Sequence, residues 1–263
     1  MEPVSSKIKL SVLLSGLRPQ NWKKLYQSIE DSFSDSFELI IVSPYEAPFC
    51  LVDLADKTNI KFIQDWGSPL RCYQIALVNA TGEFITWCAD DGVFMPKALD
   101  IALKLLLEAP GSVLVGKYNE GADNPAMDKI DYYYPARHDS TNVPYVPKDC
   151  LMLMEGVIPR GTMIEAGGWD TKYECFPMGA IDLSIRLYNK GLKFIFQEEM
   201  FFKCSHMPGT EGDHAPVHNG QILRDQPLFK LVYSLPKSKD RKDIELDNWK
   251  KSPDKWARRF NLL

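Results

Sequence analysis

Four short runs of this chain are almost wholly apolar: residues 8–14 (IKLSVLL), 37–43 (FELIIVS), 60–66 (IKFIQDW) and 83–88 (EFITWC). Side chains alternate across a β-sheet, so strands of this kind need both faces covered. The segments between them supply the cover. Residues 21–33 place Trp22, Leu25, Tyr26, Ile29 and Phe33 at helical spacing, and residues 69–81 do the same with Leu70, Tyr73, Ile75, Leu77 and Val78. Apolar strands alternating with helices predict an α/β fold: a Rossmann-type, mostly parallel mixed sheet flanked by helices.

The pattern continues past residue 88. Pro96 stands where a helix would begin, with apolar residues at 99, 103 and 106, and residues 112–118 read as a further strand. Residues 117–150 hold five tyrosines and little periodicity, the mark of a binding loop or lid. Residues 181–190 read as a short helix stopped by Gly191, and 192–206 as one or two strands. From residue 236 the chain is densely charged, with Trp249, Trp256 and Phe260 spaced to dock a short C-terminal helical extension. The expected organisation is one domain over 1–235 and the extension over 236–263.

Composition removes several classes of function. With 45% apolar residues and a formal charge of −4, the 263-residue chain has ample core and no basic excess for nucleic acid. No run approaches the ~20 apolar residues of a membrane-spanning helix, and the N-terminus lacks a signal-like apolar segment. Six cysteines lie far apart without a CxxC pair and read as reduced thiols, so a cytoplasmic protein is expected. If there is a membrane contact, it is peripheral and made through the C-terminal extension.

The most informative residues are Asp90 and Asp91, placed just beyond the fourth strand. Parallel α/β sheets bind ligands outside the carboxyl ends of their strands. Neighbouring carboxylates repel unless a cation lies near, and hard oxygen donors suit Mg²⁺ or Mn²⁺ bridging to phosphate. With Gly92 the two acids also make an ordinary solvated Asp-Asp-Gly turn. Arg18 and Ser15 follow the first strand, Ser43 ends the second, and Asp65 leaves the third. Arg71 lies on the helix after it. These are the candidates for contacts to a nucleotide, with Arg71 suited to a diphosphate and Asp65 to base or ribose.

Two segments carry a family likeness. One is NATGEFITWCADDGVFMP (79–96), a strand ending in acids and then proline; the other is GGWD (167–170) followed by DLSIRLYNKG (182–191). Over residues 8–200 the chain resembles the nucleotide-sugar-dependent glycosyltransferases of the GT-A fold, family 2 type. The resemblance implies transfer of a sugar from a nucleoside diphosphate donor, UDP-linked, to a glycan or other hydroxyl acceptor, with inversion. It also implies a Mn²⁺ or Mg²⁺ cofactor on Asp90 and Asp91, with a histidine from the late loop, His206 first and His214 second. The general base implied is Asp182, with Asp170 in reserve. The chain departs from the family at Cys88, where an acid is usual, and at Gly179–Ala180, where the base motif stands. A helix-start carboxylate four residues before Arg186 is also a structural cap. A catalytically inactive sugar-nucleotide-binding relative and a sugar-phosphate nucleotidyltransferase are the alternative readings, and the single glycine and arginine of SGLRPQNW speak against the second.

Overall fold

The computed structural model describes residues 8–121, 130–132, 134–135, 143–147, 150–204 and 214–252. In chain order the strands are β1 (Leu10–Ser15), β2 (Phe37–Ser43), β3 (Ile60–Gln64), β4 (Phe84–Cys88), β5 (Gly92–Phe94) and β6 (Ser112–Glu120). They continue with β7 (Ile130–Tyr132), β8 (Tyr134–Pro135), β9 (Leu151–Met152), β10 (Gly156–Pro159) and β11 (Lys193–Cys204). The helices are α1 (Pro19–Ser32), α2 (Pro69–Val78), α3 (Ala98–Glu108), α4 (Arg160–Glu165), α5 (Phe176–Asn189), α6 (His214–Gly220) and α7 (Gln226–Tyr233). A π-helical turn, Gln221–Asp225, joins the last two.

The main sheet runs β3-β2-β1-β4-β10-β6-β11-β5, with β7 on β6. Strands β3, β2, β1 and β4 are parallel, as the apolar runs predict, and β6 pairs β11 in parallel. β10 runs antiparallel between β4 and β6, which makes the sheet mixed. Its two faces carry separate cores. Leu10, Val12, Leu14, Leu39, Ile41 and Phe84 join one cluster with α1 and α3. Leu13, Ile40, Val42, Ile85 and Trp87 join the other with α2 and α5. Strands β1, β2 and β4 thus divide their side chains between two dry faces, whereas β3, at the edge of the sheet, is only partly buried.

Two elements differ from expectation. The helix read at 181–190 begins at Phe176, with Pro177 in its first turn, so Asp182 lies inside α5 instead of at its start. Cys175 and Phe176 hid this start, because neither is an N-cap signal. The C-terminal segment, as far as it is described, forms 3-10 turns at Pro236–Asp240 and Asn248–Lys251, not a regular helix. It is strapped to the body. Gln74 donates to Leu246 O at 2.7 Å, Asn248 accepts from Thr171 N at 2.9 Å, and Leu246 and Trp249 pack on the core. Trp256 and Phe260 lie outside the described residues.

The strap passes over the Gly-Gly turn. Gly167 holds φ +81°, and a Cβ there would overlap the Ile244 carbonyl. A Gly167→Ala variant is expected to lose more than the ~1–2 kcal/mol of a left-handed alanine alone, because the strap must also shift. Urea denaturation measures the loss.

Candidate active site

A cavity of ≈ 490 Å³ opens at the carboxyl edge of β1 and β4. Its polar end is made by Ser15, Arg18, Asp90, Asp91 and His214; Trp87, Met154, Phe176 and Met178 form much of its apolar wall. The chain leaves β1 through Gly16, where a Cβ would strike the Trp22 indole, and enters α1 directly.

Asp90 fastens this turn. It is 3% exposed, and its Oδ2 accepts from the amides of Leu17 and Arg18, both at 2.6 Å, and from Trp22 Nε1 at 3.4 Å. Its Oδ1 accepts from Arg18 Nη1 at 2.5 Å. Asn21 donates to its carbonyl at 2.9 Å. The carboxylate therefore caps the N-terminus of α1, where the helix dipole favours negative charge.

Arg18 also compensates the second acid. Its Nη1 lies 3.7 Å from Asp91 Oδ2, and its Nη2 lies 3.0 Å from His214 Nε2. His214 Nε2 also lies 3.7 Å from Asp91 Oδ2, so Arg18, Asp91 and His214 stand together. Cys204 Sγ donates to Asp91 Oδ1 at 3.1 Å. The charge that lets two neighbouring acids coexist is a side chain of this protein.

Among the described residues that arrangement does not fit the expected divalent ion. Asp90's oxygens are already taken by four donors, and Asp91 and His214 both face Arg18. Cys88, at the usual acidic position, is no replacement. Burial, reinforced by the charges of Glu155, Asp90 and Asp91, pushes its thiol well above its ordinary pKa, and Sγ turns to Leu13 O. Among the described residues no three His, Cys, Asp or Glu are grouped to hold a metal. His206 lies outside the described residues.

Other expected site residues stand elsewhere. Asp182 and Arg186 are fully buried and paired at 2.8 Å. Arg241 adds a second ion pair to Asp182 at 3.0 Å, and Tyr233 donates to it at 2.8 Å. Burial alone would raise the Asp182 pKa, but the Arg186 and Arg241 charges outweigh it and hold the carboxyl below its usual value. A carboxylate with two cationic partners and no face on the cavity is an anchor, not a general base. Asp170 is likewise held, by Arg241 at 2.7 Å. Arg71 forks onto Asp65 at 3.0 Å and reaches the strap carbonyls of Trp249 and Ser252. Neither Arg71 nor Asp65 lines the cavity. Ser43 is fully buried beneath the Tyr45 amide.

Two further groups stand in the wall, and of these sequence reasoning missed Glu155. His218 follows His214 by one helical turn, and both line the cavity. Glu155, between β9 and β10, is 9% exposed, lines the cavity, and has no hydrogen-bond partner at Oε2. Burial, then the Asp91 charge, pushes its carboxyl well above the usual carboxylate range.

Comparison with solved structures shows which architecture carries this cavity. Residues 1–349 of S. aureus TarS, a GT-A type glycosyltransferase, superpose with a TM-score of 0.59 at 15% identity, over 93% of this chain and 72% of that one. The fold is of the GT-A type. The same TarS fragment in complex with UDP matches with a TM-score of 0.57 at 14% identity, covering 88% of this chain and 73% of that one. A longer TarS chain matches with a TM-score of 0.55 at 15% identity, over 83% of this chain and 40% of that one. This GT-A-type chain thus spans less than half of the longer TarS chain. No family model matches the sequence, and no curated protein does. Among the described residues no helix is long and apolar enough to cross a membrane.

Proposed function

We propose that the cavity binds a nucleoside diphosphate sugar, UDP-linked, and transfers the sugar to a hydroxyl group of a glycan or similar acceptor, with inversion. One observation carries the reading: a guanidinium, fixed by a buried carboxylate, lines the cavity at the ligand-binding edge of a GT-A-type sheet. Guanidinium geometry matches phosphate oxygens, and a fixed cation stabilises the charge that develops on a departing diphosphate. The UDP complex of TarS supports uridine as the base. The apolar wall offers Trp87 and Phe176 to the remainder of the donor and to the acceptor. No step of this proposal uses a metal ion.

Thermal unfolding against UDP, GDP, CMP and dTDP tests it. One nucleotide, UDP, is expected to stabilise the fold by about 2.7 kcal/mol at a hundredfold excess over its dissociation constant. Absence of stabilisation by every nucleotide in the panel would overturn the reading. The missing acids at Cys88 and Gly179–Ala180 favour a second reading, a sugar-nucleotide-binding protein without turnover. Release of UDP from UDP-sugars separates the two.

A further inference from the structure

Inverting transfer needs a group to take the acceptor's proton, and the expected carboxylates do not supply it. Asp182 and Asp170 are bound into ion pairs away from the cavity, and Gly179–Ala180 carry no acid. Among the described residues three carboxyl groups line the cavity: Asp90, Asp91 and Glu155. Asp90 is consumed by the α1 amides and Arg18. Asp91 stands among Arg18, His214 and Cys204. Glu155 alone of the three has a buried carboxyl oxygen with no hydrogen-bond partner.

Its place in the fold is suited to the task. β10 pairs antiparallel with β4, Val157 opposite Thr86. Extended by two residues, that register sets Glu155 beside Cys88, at the rim where the family's first acid would stand. The backbone is held there, because Gly116 N donates to Glu155 O at 2.9 Å and Thr86 Oγ1 donates to Gly156 O at 2.8 Å. A Cβ at Gly156 would overlap the Leu114 carbonyl, so this strand start packs tightly against β6. Met152 and Met154 precede Glu155 in the wall, and Phe176 and Met178 line the same cavity. This is an apolar bed for the non-polar face of an acceptor sugar.

We propose that Glu155 is the general base: its carboxylate takes the proton of the acceptor hydroxyl. As that proton leaves, the acceptor oxygen forms its bond to the anomeric carbon. The bond from that carbon to the diphosphate breaks, and its electron pair departs with UDP beside Arg18. The proposal rests on the donor reading above. Burial suits the role, since a carboxyl that holds its proton more tightly is a stronger base once ionised.

The test uses the full chain, with UDP for binding and a panel of UDP-sugars for turnover, water serving as acceptor where no other is known. Glu155→Gln keeps the side chain's size and removes its ability to accept a proton. Because an unpartnered buried Glu has no ion pair to lose, the variant is expected to fold. UDP binding, measured by calorimetry, is expected to stay within threefold of wild type, while UDP release slows about 10²- to 10⁴-fold. Glu155→Asp, which retains the acid on a shorter stem, is expected to recover part of the rate. Unaltered release in Glu155→Gln, with UDP binding intact, would overturn the proposal and leave the donor reading standing. Loss of UDP binding in that variant would assign Glu155 to binding and overturn it too. A wild type that binds no UDP, or binds it and turns over no donor, overturns the donor reading and this proposal together.

Discussion

An Asp182→Asn variant is expected to lose about 3–5 kcal/mol of folding stability while each folded molecule keeps its turnover within a few-fold. Asp182 and Arg186 are both fully buried, and Arg241 adds a second cation to the same carboxylate. Arg186 also spans to Ala166 O at 2.5 Å and Gly168 O at 2.6 Å, so it ties α5 to the Gly-Gly turn. Removing the carboxylate charge strands a guanidinium in the core, which is why the loss exceeds the worth of an ordinary hydrogen bond. The pH dependence carries its own sign. The folded pKa of Asp182 lies below its unfolded value near 3.8. Its contribution is therefore complete above pH ~4 and lost as pH falls through the folded pKa. Asp225 acts oppositely: burial pushes it to about 6, so its contribution is present below ~3.8 and lost as pH rises through about 6. Denaturation midpoints across pH 3–7 are expected to show a shallower acid limb in Asp182→Asn than in wild type. Turnover that collapses in a variant of unchanged stability would restore Asp182 as the base.

Arg18→Met is expected to have the largest effect on the donor. It removes a guanidinium that touches Asp90, Asp91 and His214, and with it a positive charge beside neighbouring acids where an anionic diphosphate must enter. Losing one partner of a largely desolvated charged contact costs about 2–5 kcal/mol, roughly 30- to several thousandfold in dissociation constant. UDP calorimetry reads this directly. In wild type, excess EDTA is expected to leave UDP affinity unchanged, because the positive charge is a side chain. Affinity that disappears with EDTA in wild type would return the divalent ion to the site.

The sequence shows the α/β layering because burial on both faces leaves its mark in the apolar runs of β1, β2 and β4, and the helices over them carry their own period. It shows Asp90 and Asp91 at the ligand edge because their place follows from the strand that precedes them. It does not show what neutralises them. Arg18 lies seventy-two residues from Asp90 in sequence, and nothing local distinguishes it from a surface arginine. The same holds for Arg71, which matches phosphate in principle and is spent on Asp65 and the strap. Glu155 is least visible of all. It becomes part of the cavity only because β10 runs antiparallel between β4 and β6, a long-range pairing that local periodicity does not encode. Asp182 misled for a simpler reason, since its helix begins without a capping residue and so seemed to start later.

A crystal of the full chain soaked with UDP examines the donor site most directly. The expected density places the diphosphate within hydrogen-bonding distance of the Arg18 guanidinium, beside His214 and at the carboxyl edge of β4. Nucleotide bound elsewhere on the protein, or a cavity that stays empty at saturating UDP with Arg18 unmoved, would contradict it.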